Sequence, residues 1–307
     1  MGGAAWWLRR RAAEWPWAER LVCATVEAAA QTSRAAGGDE PMDLRAQFRD
    51  LHKTPFILPN PWDPGSARIF ASLGFPALAT TSSGFAATLG RRDGAVTREE
   101  ALAHGEAIAR ATPLPVSADL EGGFGDAPEA VAETIRLASA TGLAGGSIED
   151  WSGGADARLY PRGLAVDRVR AAVEAARCHA SPLVLTARCE NHIRGNPDLA
   201  DTIARLQAYQ EAGADVLYAP GLRETGEVRS LVAAVDRPVN VLILPGGPSV
   251  PALFEAGASR VSVGGAIAMA AQAAAVEAAR ELIVDGTHGF WSRALASAAT
   301  VREALSD

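Results

Sequence analysis

Residues Pro115-Val116-Ser117-Ala118-Asp119-Leu120-Glu121-Gly122-Gly123-Phe124-Gly125 decide how this chain is read. An apolar run of strand length gives way to two acids and then to a glycine loop. Asp126 and Glu129 beyond it have the spacing of a capping box that opens a helix. The unit is strand, loop, helix. Residues two apart in a strand share a face, so Asp119 and Glu121 are expected to project together. A second run, Gly146-Ser147-Ile148, ends in Glu149-Asp150. Carboxylates at the ends of neighbouring buried strands repel by roughly a few kcal/mol each at ~4 Å and an effective dielectric of about 20. A hard divalent cation with oxygen ligands resolves that conflict.

The same unit recurs along the chain. Apolar or β-branched runs fall at 56–58, 77–80, 115–120, 146–148, 183–187, 216–219, 239–243 and 260–263, with amphipathic helical patterns between them. Asp63-Pro64, Thr97 with Glu100, Asn196-Pro197 and Ser249 before Pro251 read as helix starts. Gly74, Gly142, Gly213 and Gly257 read as helix ends. Strands apolar on both faces that alternate with helices imply a parallel sheet covered by helices. Eight units point to an α/β fold of the eightfold β/α (TIM) barrel type, with an open doubly wound sheet as the alternative. The spacing in Gly122-Gly123-Phe124-Gly125 is wrong for a dinucleotide fingerprint.

Composition narrows the partners. The 307 residues are 48% apolar and 21% charged, enough for a large core, and the net charge of −7 argues against nucleic acid or an anionic membrane as partner. Apolar runs stay below spanning length. Cys23, Cys178 and Cys189 have no metal-ligand spacing and cannot all pair, which fits a reducing cytoplasm. Residues 1–41 stand apart, mixing Trp6, Trp7, Trp15 and Trp17 with Arg9, Arg10 and Arg11. Glu14, Glu19 and Arg20 interrupt any signal-peptide core, so the segment is expected to be a poorly ordered or weakly helical extension. The barrel domain is expected over 42–307. A membrane-surface helix in the extension, or a start of translation at Met42, stays open.

In a β/α barrel the groups that do chemistry gather beyond the C-terminal ends of the strands. Asn60 and Asp63, Thr81-Ser82-Ser83-Gly84, Asp119 and Glu121, Glu149 and Asp150, Arg188 and Glu190, and Asn240 all fall at such ends. Together with Gly90-Arg91-Arg92-Asp93, they give the chain a pattern over about 43–286 that resembles the isocitrate lyase/phosphoenolpyruvate mutase superfamily. That resemblance implies a β/α barrel, often tetrameric with a C-terminal helix swapped between subunits. It further implies Mg²⁺ (or Mn²⁺) and a small α-oxyacid whose C–C or P–C bond breaks next to a carboxylate through enolate-like intermediates.

Carried across by residue, the resemblance implies that Asp119, Glu121 and Glu149 hold the metal, with Asp93 reaching it through water. The superfamily commonly has aspartate where Glu121 stands. Capping of the next helix is the plainer role for Asp119 and Glu121. Ser83, Gly84 and Phe85 would offer N–H groups and a hydroxyl to a carboxylate, or form an ordinary turn. Arg188 would fork onto a carboxylate, or bridge Glu190 as a structural pair. Asn60, Asp63, Glu190 and Asn240 complete the expected substrate contacts, although a buried Asn240 amide tying strands together is equally open.

The loop after the fourth strand departs from the resemblance. Residues 151–160 contain neither lysine nor cysteine, so the proton-donating loop of isocitrate lyases and the lysine loop of phosphonopyruvate enzymes are both missing. Its glycines still permit a lid. Tyr218, His192 and Tyr160 are the replacement proton donors on offer, although a structural role is the plainer reading of each. The expected activity is Mg²⁺-dependent C–C cleavage of an α-keto or α-hydroxy acid, as in oxaloacetate decarboxylation or methylisocitrate cleavage. P–C chemistry on a phosphonopyruvate-like compound and a non-catalytic oxyacid-binding barrel are the alternatives. The expected assembly is a homo-oligomer, tetramer or dimer.

Overall fold

The computed structural model describes residues 43–153 and 157–306. The extension expected over 1–41 lies outside the described residues, as do 154–156 in the loop after the fourth strand. The elements run α1 (Leu44–Leu51), β1 (Phe56–Leu58), α2 (Pro64–Ser72), β2 (Leu78–Ala79), α3 (Ser82–Thr88), α4 (Arg98–Arg110), β3 (Val116–Asp119) and α5 (Pro128–Ala138). They continue with β4 (Gly145–Glu149), α6 (Arg162–Ala176), β5 (Val184–Arg188), α7 (Leu199–Glu211), β6 (Val216–Tyr218) and α8 (Thr225–Ala233). Last come β7 (Val239–Leu242), α9 (Val250–Glu255), β8 (Arg260–Ser262), α10 (Ala266–Arg280), a π-helical turn (Glu281–Asp285) and α11 (Trp291–Leu305).

The eight strands form one parallel sheet in the order β1-β8-β7-β6-β5-β4-β3-β2. β1 and β2 approach each other at the remaining seam, where the Ala79 N–H donates to the Pro59 carbonyl at 3.0 Å. The ring is thus nearly closed, as the eightfold repeat predicts. Pairing in the sheet lets the strands carry apolar side chains on the helix-facing side, where Leu78, Val116, Leu185, Leu217, Val239 and Val261 sit in the main core. The N-terminal end of the barrel is stoppered by α1. Its Phe48, fully buried, packs with Phe56, Leu58, Ala144, Val184 and Val216. A Cβ on Gly145 would lie 2.7 Å from the Phe48 ring, so only glycine admits the plug there. Arg45 fastens α1 to the carbonyls of Ser139, Leu143 and Ser181.

Helix signals fare unevenly. Asp63 and Thr97 close capping boxes with Ser66 and Glu100, and Ser249 caps α9. Gly74, Gly142, Gly213 and Gly257 all have positive φ, as helix ends require. Two expected starts are corrected. Asp198, not Asn196, caps α7. Asp126 does not cap α5, whose N-cap is Ala127 without a side-chain bond. The Asp126 carboxylate instead accepts from Tyr160 Oη at 2.7 Å. Beyond the barrel, α11 packs against α2 of the same chain. Among the described residues no helix is long and apolar enough to cross a membrane.

Candidate active site

The strand register brings the chemistry together. Asp119, Glu149 and Arg188 are the last residues of β3, β4 and β5, and Glu149, Arg188, Tyr218, Asn240 and Arg260 pair in sequence around the ring. Arg188 is the hub. Its Nη1 donates to Asp119 Oδ1 at 2.9 Å, and its Nη2 lies 2.9 Å from Glu149 Oε2 and 2.8 Å from Glu190 Oε1. The guanidinium also sits 5.3 Å from the centre of the Tyr218 ring. Burial alone would lower the Arg188 pKa, but Glu190, Glu149 and Asp119 together hold it well above its ordinary value. A second guanidinium, Arg194, contacts Glu190 at 3.1 Å and Glu149 at 3.5 Å and lies over the Trp151 ring at 4.8 Å. A cavity of about 280 Å³ opens here, lined among others by Ser83, Asp93, Asp119, Arg188, Glu190 and Tyr218.

Glu121 departs from the expected geometry. β3 stops at Asp119, and Glu121 has a φ of 48°, so the alternation of a strand does not relate the two acids. Left-handed backbone at Glu121, Gly123 and Phe124 turns the loop instead. Arg168, buried in α6, secures that turn by donating to the carbonyls of Gly122, Gly125 and Asp126 while lying over the Tyr160 ring. The result is a buried Glu121 Oε1 with no hydrogen-bond partner. Burial first, then the charges of Asp119 and Asp93, push the Glu121 carboxyl up to about 7. Burial also raises Glu149 well above its ordinary value, with Arg188 opposing and Glu190 and Asp119 adding to the rise.

Several expected contacts are corrected. Asp63 is absorbed in the capping box of α2 and does not line the cavity. Phe85 stacks on His104 at 3.8 Å, and the Gly84 N–H turns to Thr81 Oγ1 at 3.4 Å, so neither faces the mouth. Of these loop residues, Ser82 and Ser83 line the cavity. The Ser82 N–H already donates to Asp119 Oδ2 at 3.3 Å. His192 points to Thr202, with Nδ1 3.2 Å from its hydroxyl, and is absent from the cavity wall. Asn60 and Asn240 do line the cavity, yet both amides are engaged by protein. Asn60 ties β1 to Thr80, Val263 and Gly264, while Asn240 joins Ser262 and Arg260. Asp150, next to Glu149, is buried under the site, accepting from the Glu190 N–H, Tyr209 and Arg205. Nothing in the local sequence singled out Arg194 or Arg168. Arg260, a charged residue opening an apolar run, was a signal that could have been read.

Whether these residues fit a divalent cation can be asked of their charges. Asp119, Glu149 and Glu190 pair with Arg188 and Arg194, Asp93 and Asp119 add like charge beside Glu121, and one Glu121 oxygen is buried without a donor. That imbalance suits a hard cation. Among the described residues, however, no three of His, Cys, Asp and Glu stand as a ready cage. The guanidinium of Arg188 stands between Asp119 and Glu149, so a cation is better suited to the Asp119 and Glu121 side, completed by water. Mg²⁺ is commonly held in that way by one or two carboxylates.

Comparison with known proteins agrees with the barrel fold. A solved structure of a Burkholderia cenocepacia J2315 protein described as a lyase/mutase is 50% identical and superimposes with a TM-score of 0.82, covering 86% of this chain and 96% of that one. The structure of 2,3-dimethylmalate lyase is 31% identical with a TM-score of 0.73, covering 81% and 90%. An oxaloacetate decarboxylase of Chromohalobacter salexigens is 32% identical over 217 residues, 68% of this chain and 73% of its own. The family model described as phosphoenolpyruvate phosphomutase matches residues 48–283. The chain belongs to that family, within the isocitrate lyase/phosphoenolpyruvate mutase superfamily.

Proposed function

We propose that this protein is a lyase that cleaves the C–C bond next to a carboxylate in a small α-keto or α-hydroxy acid. The observation that carries the reading is Arg188, a buried guanidinium at a strand end inside the cavity, among carboxylates that outnumber it. The names of two relatives, oxaloacetate decarboxylase and 2,3-dimethylmalate lyase, accord with it. Asp119 and Glu121, with Asp93 through water, would hold Mg²⁺, which supplies a Lewis acid for the charge that develops on the substrate's α-oxygen. Arg188 forks onto a substrate carboxylate and steadies the negative charge left by cleavage. Ser83 offers its hydroxyl to the same end of the substrate.

Tyr218 is the proton donor in this scheme. Burial pushes its hydroxyl up to about 12, so it carries its proton at neutral pH, and it lines the cavity beside Arg188. Lysine and cysteine are not required for that role. The described ends of the 151–160 loop meet where Trp151 bridges Leu159, and Tyr160 is anchored by Asp126. The C-terminal segment leaves Met269, Ile283, Val284, Trp291 and Leu295 largely exposed, which suits a face shared with another copy of the chain. Light scattering on the purified protein tests for the expected dimer or tetramer, and the assembly is assigned to the cytoplasm.

The activity is tested by incubating the protein and Mg²⁺ with a panel of oxyacids, coupling released pyruvate or glyoxylate to a dehydrogenase. Turnover should vanish with EDTA and fall at least about a hundredfold in Asp119→Ala. Binding without turnover across the panel would replace the lyase reading with that of an oxyacid-binding barrel.

A further inference from the structure

The floor of the cavity holds a second guanidinium that the proposed chemistry does not use. Arg260 opens β8, and its side chain crosses the barrel interior to reach other strands. Its Nε donates to Asn240 Oδ1 at 2.8 Å, and its Nη2 donates to Thr186 Oγ1 at 3.1 Å. Its Nη1 lies 3.2 Å from His52 Nε2. The residue is only 3% exposed, yet it forms part of the wall of the same cavity as Arg188.

All three partners are uncharged. His52 Nδ1 lies 2.8 Å from the Phe48 carbonyl, which assigns the ring proton to Nδ1 and leaves Nε2 to accept from Arg260. Burial first, then the charge of Arg260, lower the His52 pKa to about 3, so the ring stays neutral. Among the described residues no carboxylate comes within ion-pair distance of Arg260. The acids of the cavity are taken up near the rim by Arg188 and Arg194. A buried charge is normally paired, because an unpaired one is expensive to keep away from water. Of its five N–H groups the structure engages three, leaving one on each terminal nitrogen.

Depth separates the two guanidiniums. Thr186, which Arg260 reaches, lies two residues before Arg188 on β5, about 6.6 Å lower at a rise of roughly 3.3 Å per residue. The wall between is built of small residues, including Ala79, Ser117 and Ala118, which leave space along the barrel axis. The cavity therefore has a rim where cation and acids are matched and a floor where a cation lacks an anion.

We infer that Arg260 is the floor of a carboxylate subsite, taking the non-reacting carboxylate of a compact dicarboxylic oxyacid whose reacting end lies at the acid-lined mouth. The inference rests on the lyase reading for which end reacts, but not for the existence of the subsite. Its two remaining N–H groups meet a planar carboxylate, and Ser262 and Asn240 flank the contact. Arg260 is then a specificity residue that separates diacids from monoacids.

The test uses the full-length protein with Mg²⁺ and two ligands that differ in one carboxylate, lactate and malate, measured by calorimetry. The wild type should bind malate at least about tenfold more tightly than lactate, the scale of a charge-assisted contact. Arg260→Met should erase that preference, read as the malate-to-lactate affinity ratio. Arg260→Lys, which keeps the charge without the fork, should retain part of it. If Arg260→Met does not fold, Arg260→Lys decides alone, and an unchanged malate-to-lactate ratio overturns the subsite. Equal binding of the two acids by the wild type, or the full preference persisting in Arg260→Met, also overturns it. Turnover is scored separately on the same samples. A preference that depends on Arg260 without turnover of any oxyacid would leave the subsite standing and sink the lyase. Turnover with a preference indifferent to Arg260 would do the reverse.

Discussion

Replacing Glu121 by glutamine keeps the shape of the side chain and removes its charge, so it isolates the electrostatic strain at the mouth. Burial and the neighbouring Asp119 and Asp93 lift this carboxyl from the ordinary 4.5 to about 7. At roughly 1.4 kcal/mol per pH unit, ionising Glu121 costs the folded protein about 3 kcal/mol more than the unfolded chain. The sign follows from proton counting. Between those two values the folded state holds the proton and the unfolded state does not, so stability falls as pH rises through the window and stays low above it. In EDTA at about pH 8, Glu121→Gln should therefore unfold at a higher temperature than the wild type, by about 5 °C for a domain of this size. Near pH 4 the two should melt together. Added Mg²⁺ should stabilise the wild type and act much less on the variant, because the cation offsets a charge that glutamine lacks. Thermal unfolding followed by fluorescence reads all of these. A variant less stable than the wild type at pH 8 in EDTA, or an equal Mg²⁺ response from both proteins, would refute the reasoning.

Two other substitutions separate framework from chemistry. Phe48→Ala removes a fully buried ring from the stopper of the barrel and should cost about 3–5 kcal/mol, read as a lower urea midpoint. Tyr218→Phe should lower kcat by about a hundredfold or more with little change in KM, as loss of an acid catalyst does, whereas His192→Ala should leave kcat within about twofold because that ring faces Thr202.

The barrel was legible because each of its strands is enclosed by helices on one side and by the other strands' side chains on the other, which shows in sequence as uninterrupted apolar runs. The run at 56–58 coincides with β1, and the other boundaries shift by no more than one residue. What slipped was local competition for polar groups. Asp126 has the spacing of a cap, yet Tyr160 claims its carboxylate and Arg168 its carbonyl, and both partners lie more than thirty residues away. The shared face expected of Asp119 and Glu121 failed for a related reason. The turn that Arg168 clamps draws Glu121 out of extended geometry. At the site, residues that end strands, Asp119, Glu149 and Arg188, could be placed because register is a collective property of the sheet. Residues reached only by adjacency, such as Asp63, Phe85 and His192, could not. A helix cap, an aromatic stack and a threonine hydroxyl each turn a side chain in ways that spacing does not encode.

In the proposed scheme Arg188 is the cation that takes the substrate carboxylate, although several acids already surround it. Three carboxylates within 2.9 Å already hold its guanidinium, each attraction amounting to roughly a few kcal/mol at an effective dielectric near 20. A substrate carboxylate must compete with them, and Glu190, buried and bonded to both Arg188 and Arg194, is the least able to withdraw. Asp119 is the more readily released partner, since it is part-exposed and close to Glu121, whose charge repels it. A divalent cation held by Asp119 and Glu121 would compete with Arg188 for Asp119 and would leave one arm of the fork for an incoming anion. Cation and substrate would then be coupled through a single carboxylate, because β3 and β5 end side by side with β4 between them.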